Sequence, residues 1–186
     1  MAPTAGRIFI LAAIGGPVGA RLHTLQERYD PKLARAFPPH VTLAGSSGLG
    51  AVHAGTSAAE IRAALERVAA GSEPLRLKFT APHRFMQTNI VSLPLDPNGP
   101  IRALHDRLGQ SGLKFEQAKF TFTPHCTLSF YPELTEVRTR ELLAIRVDEE
   151  IVINRIEAWR TREPQAAVLV ASVRLGGLFL PRRSRL

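Results

Sequence analysis

Apolar and polar positions alternate along this chain in blocks whose period switches between two and about three and a half. Residues 7–14 (RIFILAAI) form a short apolar run closed by Gly15-Gly16-Pro17, which predicts a buried strand. Val18, Leu22, Leu25 and Tyr29 then recur at three- and four-residue steps. They predict a helix over residues 17–29, with Pro17 in its first turn and Asp30-Pro31 breaking it. After a short connection, His40-Val41-Thr42-Leu43-Ala44 alternates as a strand, and the Gly-, Ser- and Ala-rich residues 45–56 read as a loop. Ser57-Ala58-Ala59-Glu60 is a capping-box pattern, opening a helix to about residue 70 with Ile61, Leu65 and Val68 on one face. Residues 75–79 alternate strictly, as a strand with one wet face does.

The second half repeats this order. Residues 89–95 read as a strand, and residues 98–109 as a helix with Ile101, Leu104 and Leu108 in register. A strand lies within 120–131, a helix over 135–146 and a strand over 150–159; a last strand, 166–175, has no counterpart. Each half thus runs strand, helix, histidine-bearing strand, helix, strand, with the two histidines 85 residues apart. Matching order predicts a duplicated unit, and two copies predict pseudo-twofold packing into one α+β body, joined near residues 81–89.

Composition changes this picture little. The 186 residues suit one domain, and 45% apolar with 22% charged residues is an ordinary globular balance. Twenty-four Lys and Arg against 16 Asp and Glu leave a net +8, which favours RNA or phosphorylated substrates. Arg182, Arg183 and Arg185 make 181–186 a basic tail, either a solvated end or a nucleic-acid contact. No apolar run approaches the ~20 residues that span a bilayer, and no secretory signal opens the sequence. The single cysteine, Cys126, excludes an internal disulfide and fits a reducing, cytoplasmic location.

The chemistry lies in a repeated fragment. Phe37-Pro38-Pro39-His40-Val41-Thr42-Leu43 and Phe122-Thr123-Pro124-His125-Cys126-Thr127-Leu128 share Pro, His, Thr and Leu at the same spacing. Strand period two places His40 with Thr42 on one face and Val41 with Leu43 on the other; His125 and Thr127 oppose Cys126 and Leu128 in the same way. Packed about a pseudo-twofold axis, the polar faces bring two imidazoles and two hydroxyls around one hollow. An imidazole titrates near neutrality, so one ring can accept a proton from an attacking oxygen while the other protonates a leaving oxygen across phosphorus. The threonine hydroxyls can donate to the non-bridging oxygens.

This pair of His-x-Thr-x motifs resembles the two-histidine (2H) phosphoesterase superfamily, which includes 2′-5′ RNA ligase-like proteins and cyclic nucleotide phosphodiesterases; the likeness covers residues 7–175. It implies a bilobal α+β fold, two antiparallel-sheet lobes with outer helices around a central cleft. We place the first motif lobe at about 15–85 and the second at about 86–160, with the terminal strands crossing over, all within one domain over 1–186. It further implies action on 2′,3′-cyclic phosphates or 2′-5′ bonds, with catalytic His40, Thr42, His125 and Thr127. No metal and no cofactor is expected; the partner is an RNA end or a nucleotide cyclic phosphate, and the protein is expected to be a monomer.

Other residues have blander roles to set against a functional one. Ser129 and Tyr131 continue the His125 face by alternation, and Arg84 and Phe85 fall where the first lobe hands over to the second; all four are candidate substrate contacts. Cys126 points away from His125 and reads as a core thiol. His23, His53, His83 and His105 show no metal-ligand spacing. The 45–50 segment lacks the Gly-Lys-Ser/Thr ending of a phosphate loop and reads as a flap, and Trp159 as packing. Two rival functions stand: a non-catalytic RNA-binding module, and a diesterase for a small metabolite such as a cyclic ADP-ribose phosphate or 2′-5′ oligoadenylate.

Overall fold

A computed structural model describes residues 6–162 and 165–176, so the basic tail lies outside the described residues. In chain order the elements are β1 (Ile8–Ala13), α1 (Gly16–Tyr29), α2 (Pro31–Ala36), β2 (His40–Gly45), β3 (Leu49–Gly50), α3 (Ala58–Ala70), β4 (Leu75–Leu77) and β5 (His83–Arg84). They continue with β6 (Val91–Pro94), α4 (Pro100–Gly109), β7 (His125–Ser129), α5 (Glu136–Leu143), β8 (Ile151–Ile153), β9 (Arg155–Arg162) and β10 (Gln165–Arg174). The class is α+β, and among the described residues the strands form three sheets, ordered β10-β9-β1-β2-β3, β5-β6-β7 and β4-β8. Every pairing between these strands is antiparallel except the short β2–β3 contact.

Two departures from the sequence expectation have local causes. The strand expected over 150–159 breaks at exposed Asn154: β8 pairs with β4, and β9 inserts between β1 and β10. Residues 31–36, expected as connection, form α2. The Asp30 side chain caps it by accepting the Leu33 N–H at 3.0 Å, with Pro31 at its first position. Asp30-Pro31 therefore ends one helix and starts the next.

One face of the long sheet is core. Ile8, Ile10 and Ala12 of β1 and Ile156 and Ala158 of β9 have no exposed surface, and they join Ile61 and Leu65 of α3 and Ile101 and Leu108 of α4 in one cluster. Burying this many branched and aliphatic side chains drives the assembly, at roughly 25 cal/mol per Å² of apolar surface removed from water. Helix α3 starts as its sequence requires: Glu60 N–H donates to Ser57 Oγ at 3.2 Å, and Ser57 N–H donates to Glu60 Oε2 at 2.9 Å.

The two histidine strands are built alike. In β1–β2, Ala13, Leu11 and Ile10 face His40, Thr42 and Ala44; in β6–β7, Pro94, Ser92 and Val91 face His125, Thr127 and Ser129. Both ladders carry a bulge after the threonine, skipping Leu43 in one and Leu128 in the other. Both are closed by the same backbone bond, Ile14 N–H to Pro39 O and Leu95 N–H to Pro124 O, each 2.9 Å.

Helix α1 ties the halves together with two polar residues one turn apart. Gln26 Nε2 donates to Thr127 O at 2.7 Å, and Asp30 Oδ2 accepts the Phe130 and Tyr131 N–H groups at 2.7 and 2.8 Å. Both side chains are buried, so each of these bonds offsets part of the cost of taking a polar group out of water.

Candidate active site

β2 and β7 pack against each other at the centre of the fold. Along them His40, Thr42, His125 and Thr127 are half-buried, whereas Val41, Leu43, Cys126 and Leu128 are fully buried. The imidazoles and hydroxyls therefore share the open side and the aliphatic and thiol groups the core side, as period-two alternation requires.

Both imidazoles are held by one device. Nδ1 of His40 lies 2.7 Å from Pro38 O, and Nδ1 of His125 lies 2.6 Å from Thr123 O. A carbonyl only accepts, so Nδ1 carries the proton in each ring and Nε2 is left with the lone pair that does chemistry. An aromatic edge braces each ring: Phe37 stands 5.6 Å from His40 and Phe85 stands 5.1 Å from His125. The motif phenylalanines are not equivalent here. Phe122 turns inward to stack on His105 at 3.9 Å, and Phe85 fills its place.

The two rings influence each other electrostatically. Burial pushes His40 down to about 4, against the raising effect of its bond to Pro38, and the charge of His125 lowers it further. Burial also lowers His125, opposed by its bond to Thr123. A proton on His125 therefore opposes protonation of His40. Cys126 is pushed up to about 12 by burial, so the thiol stays protonated and inert in the core.

The other predicted contacts separate. Phe85 is at the site. Ser129 is not: the bulge makes it pair with Val91, while Thr127 pairs with Ser92, and consecutive Val91 and Ser92 face opposite ways. Ser129 is carried to the core side and fully buried. Arg84 pairs with Val91, so it also leaves the Thr127 side; its Nε donates to Thr88 O at 2.8 Å, and it lines an open cleft of about 370 Å³ beside α5. Tyr131 lies past the strand, 39% exposed, with Lys32 Nζ 4.0 Å from its ring centre.

The same register brings in His83, set aside in the sequence for want of metal-ligand spacing. It pairs with Ser92, shares the Thr127 side and stands 5.5 Å from Phe85. Trp159, read as packing, stands 6.0 Å from Phe37, and its Nε1–H donates to buried Glu157 at 2.9 Å. Only strand pairing reveals either residue. No group of three or more His, Cys, Asp or Glu side chains suited to a metal occurs among the described residues. No described helix is long and apolar enough to cross a membrane.

Both the sequence and the fold have known relatives. The sequence model of the 2′-5′ RNA ligase superfamily matches residues 16–171. A candidate phosphoesterase of Geobacillus sp. (strain WCH70) is 31% identical over 107 residues, 57% of this chain and 58% of that protein. One from Bacillus pumilus (strain SAFR-032) is 27% identical over 138 residues, 72% of this chain and 76% of its own length. Among solved structures, TT0787 of Thermus thermophilus superposes with a TM-score of 0.61 at 17% identity, covering 92% of this chain and 98% of that one. E. coli LigT complexed with NADP+ superposes with 0.55 at 16% identity, covering 92% and 98%. LigT complexed with 3′-AMP gives 0.53 at 18%, covering 92% and 99%. At these identities the structures establish a shared fold.

Proposed function

The chain belongs to the 2′-5′ RNA ligase superfamily, and from that premise we propose that it is a metal-independent phosphodiesterase opening 2′,3′-cyclic phosphates of RNA or nucleotides to 2′-phosphates. The observation that carries this reading is the matched pair of His-x-Thr strands, each with Nδ1 tied to the carbonyl two residues back and Nε2 free.

In this reading the cyclic phosphate lies between the two strands. His40 is the base, because burial and its charged partner keep it neutral. Its Nε2 takes a proton from water as the water oxygen bonds to phosphorus. His125 is the acid, and its Nε2 gives a proton to O3′ as the P–O3′ bond breaks in line. The phosphate stays on O2′, and the pair exchanges roles to reset. Thr42 and Thr127 hydroxyls donate to the two non-bridging oxygens, where preorganised donors are worth most. Run in the same direction with an RNA 5′-hydroxyl in place of water, the same steps form a 2′-5′ bond and release the 3′-hydroxyl, a second activity of the site. The nucleotide complexes of the LigT fold relative support a nucleotide-sized ligand.

The test is a substrate panel of 2′,3′-cyclic nucleotides, RNA ending in a cyclic phosphate and 2′-5′ oligoadenylate, with and without EDTA. Mass spectrometry and phosphate mapping identify the product. A 2′-phosphate formed equally well in EDTA is the expected result. Turnover abolished by EDTA and restored by a divalent metal contradicts the mechanism, and binding of RNA with no turnover favours the RNA-binding module.

A further inference from the structure

The catalytic face of the long sheet extends beyond the histidine. Thr42, Leu11, Glu157 and Ser172 stand side by side across β2, β1, β9 and β10. Side chains alternate along each strand, so Arg155, two residues before Glu157, and Arg174, two after Ser172, leave the sheet on the side that carries His40 and Thr42. Arg155 and Arg174 are paired directly opposite one another. One register step beyond Ala12 and Ile156, Arg155 falls beside Ala13, which itself pairs with His40. Arg155 is therefore two strand spacings from His40, about 10 Å, and Arg174 is three, about 15 Å.

Like charges directly opposite in a sheet destabilise it. Here one carboxylate serves the pair. Glu157 Oε1 lies 3.7 Å from Arg155 Nη1, but that carboxylate also accepts the Trp159 indole N–H and, at 3.3 Å, the Ser172 hydroxyl. Arg174 is exposed and makes no ion pair among the described residues. The fold carries an unbalanced cationic pair on the face where the reaction takes place, and guanidinium forks match phosphate oxygens.

We propose that Arg155 and Arg174 form a second phosphate site that binds the backbone upstream of the reacting cyclic phosphate, so that the substrate is a single-stranded RNA end rather than a free mononucleotide. This rests on the function proposed above. The strand would cross β1, β9 and β10, with its terminal phosphate at the histidines and the preceding phosphodiesters at the arginines.

The experiment compares Arg155→Ala, Arg174→Ala, the double variant and Arg174→Lys on two substrates, 2′,3′-cyclic AMP and a tetraadenylate ending in 2′,3′-cyclic phosphate. The readout is the ratio of kcat/KM for tetranucleotide over mononucleotide. We expect each alanine to lower that ratio about tenfold, Arg174→Lys to restore part of it, and each lost cation to flatten the log–log salt dependence of tetranucleotide binding by about 0.7. The melting temperature should hold or rise in Arg174→Ala, which removes the opposing like charge and leaves the Arg155–Glu157 ion pair in place. An unchanged ratio, or equal losses on both substrates, overturns the proposal. Should the wild type turn over neither substrate, the catalytic reading fails by itself. Binding of a 3′-phosphate-ended tetraadenylate against 3′-AMP then decides the arginine site, which requires the tetranucleotide to bind more tightly and to lose that advantage in the double variant.

Discussion

Replacing Asp30 by alanine tests how the second histidine strand is held against the first half of the chain. Asp30 is 1% exposed and accepts three backbone N–H groups: Leu33 at the start of α2, and Phe130 and Tyr131 just past β7. Loss of an N-terminal cap costs about 1 kcal/mol. The two bonds to Oδ2 have a charged acceptor and leave partly buried donors behind, about 1.5 kcal/mol each. Together Asp30→Ala should cost about 4 kcal/mol, a large part of the 5–15 kcal/mol typical of a domain. That corresponds to a fall in Tm of about 8–16 °C for a chain of this size. Urea unfolding followed by circular dichroism measures it directly. Asp30→Asn keeps one carbonyl oxygen and should fall between the two. Turnover should drop in both variants even where the protein remains folded, because the clamp sets His125 and Thr127 opposite His40. A loss below about 1 kcal/mol for the alanine variant would refute this account of the clamp.

Three further outcomes concern the site itself. His40 titrates at about 4 in the fold against 6.5 for the free imidazole, so on acidification the unfolded chain binds the proton first. Its stabilising contribution is complete above about pH 6.5 and is lost as the pH falls towards 4; lowered His125 acts in the same direction. The pH dependence of unfolding should therefore flatten over that window in His40→Gln, and an unaltered slope would contradict the burial argument. Thr42→Val and Thr127→Val keep the shape and remove the donor, so kcat should fall roughly 10²-fold with little change in Tm, in steady-state assays and thermal melts. Cys126, fully buried and raised to about 12, should resist iodoacetamide until the protein unfolds; labelling at the rate of a free thiol would show the core face misplaced.

How much of this was legible in the sequence depended on whether the information was local. The repeated fragment fixed His40, Thr42, His125 and Thr127 on one side of their strands, because alternation needs only neighbouring residues. The bulges are not local: they arise from pairing with β1 and β6, and the one in β7 turned Ser129 away, while the β5–β6 register put Arg84 off the reactive side and His83 on it. A composition signal existed for α2, since Asp-Pro is a good capping pair as well as a breaker, but six residues leave no apolar stripe to detect. The brace from Phe85 to His125, the Trp159–Glu157 bond and the Arg155–Arg174 pair depend on how strands are ordered and registered, which no short window of sequence contains.

The central claim is that two imidazoles act as one unit on a single phosphate. Single-turnover hydrolysis of RNA ending in a 2′,3′-cyclic phosphate, by His40→Ala, His125→Ala and the double variant, tests it most directly. Acid and base working in one step predict that each single variant loses at least about 10³-fold and that the double variant is scarcely worse than either. Two independent losses that multiply in the double variant, or a single variant keeping more than about a tenth of the wild-type rate, would contradict it.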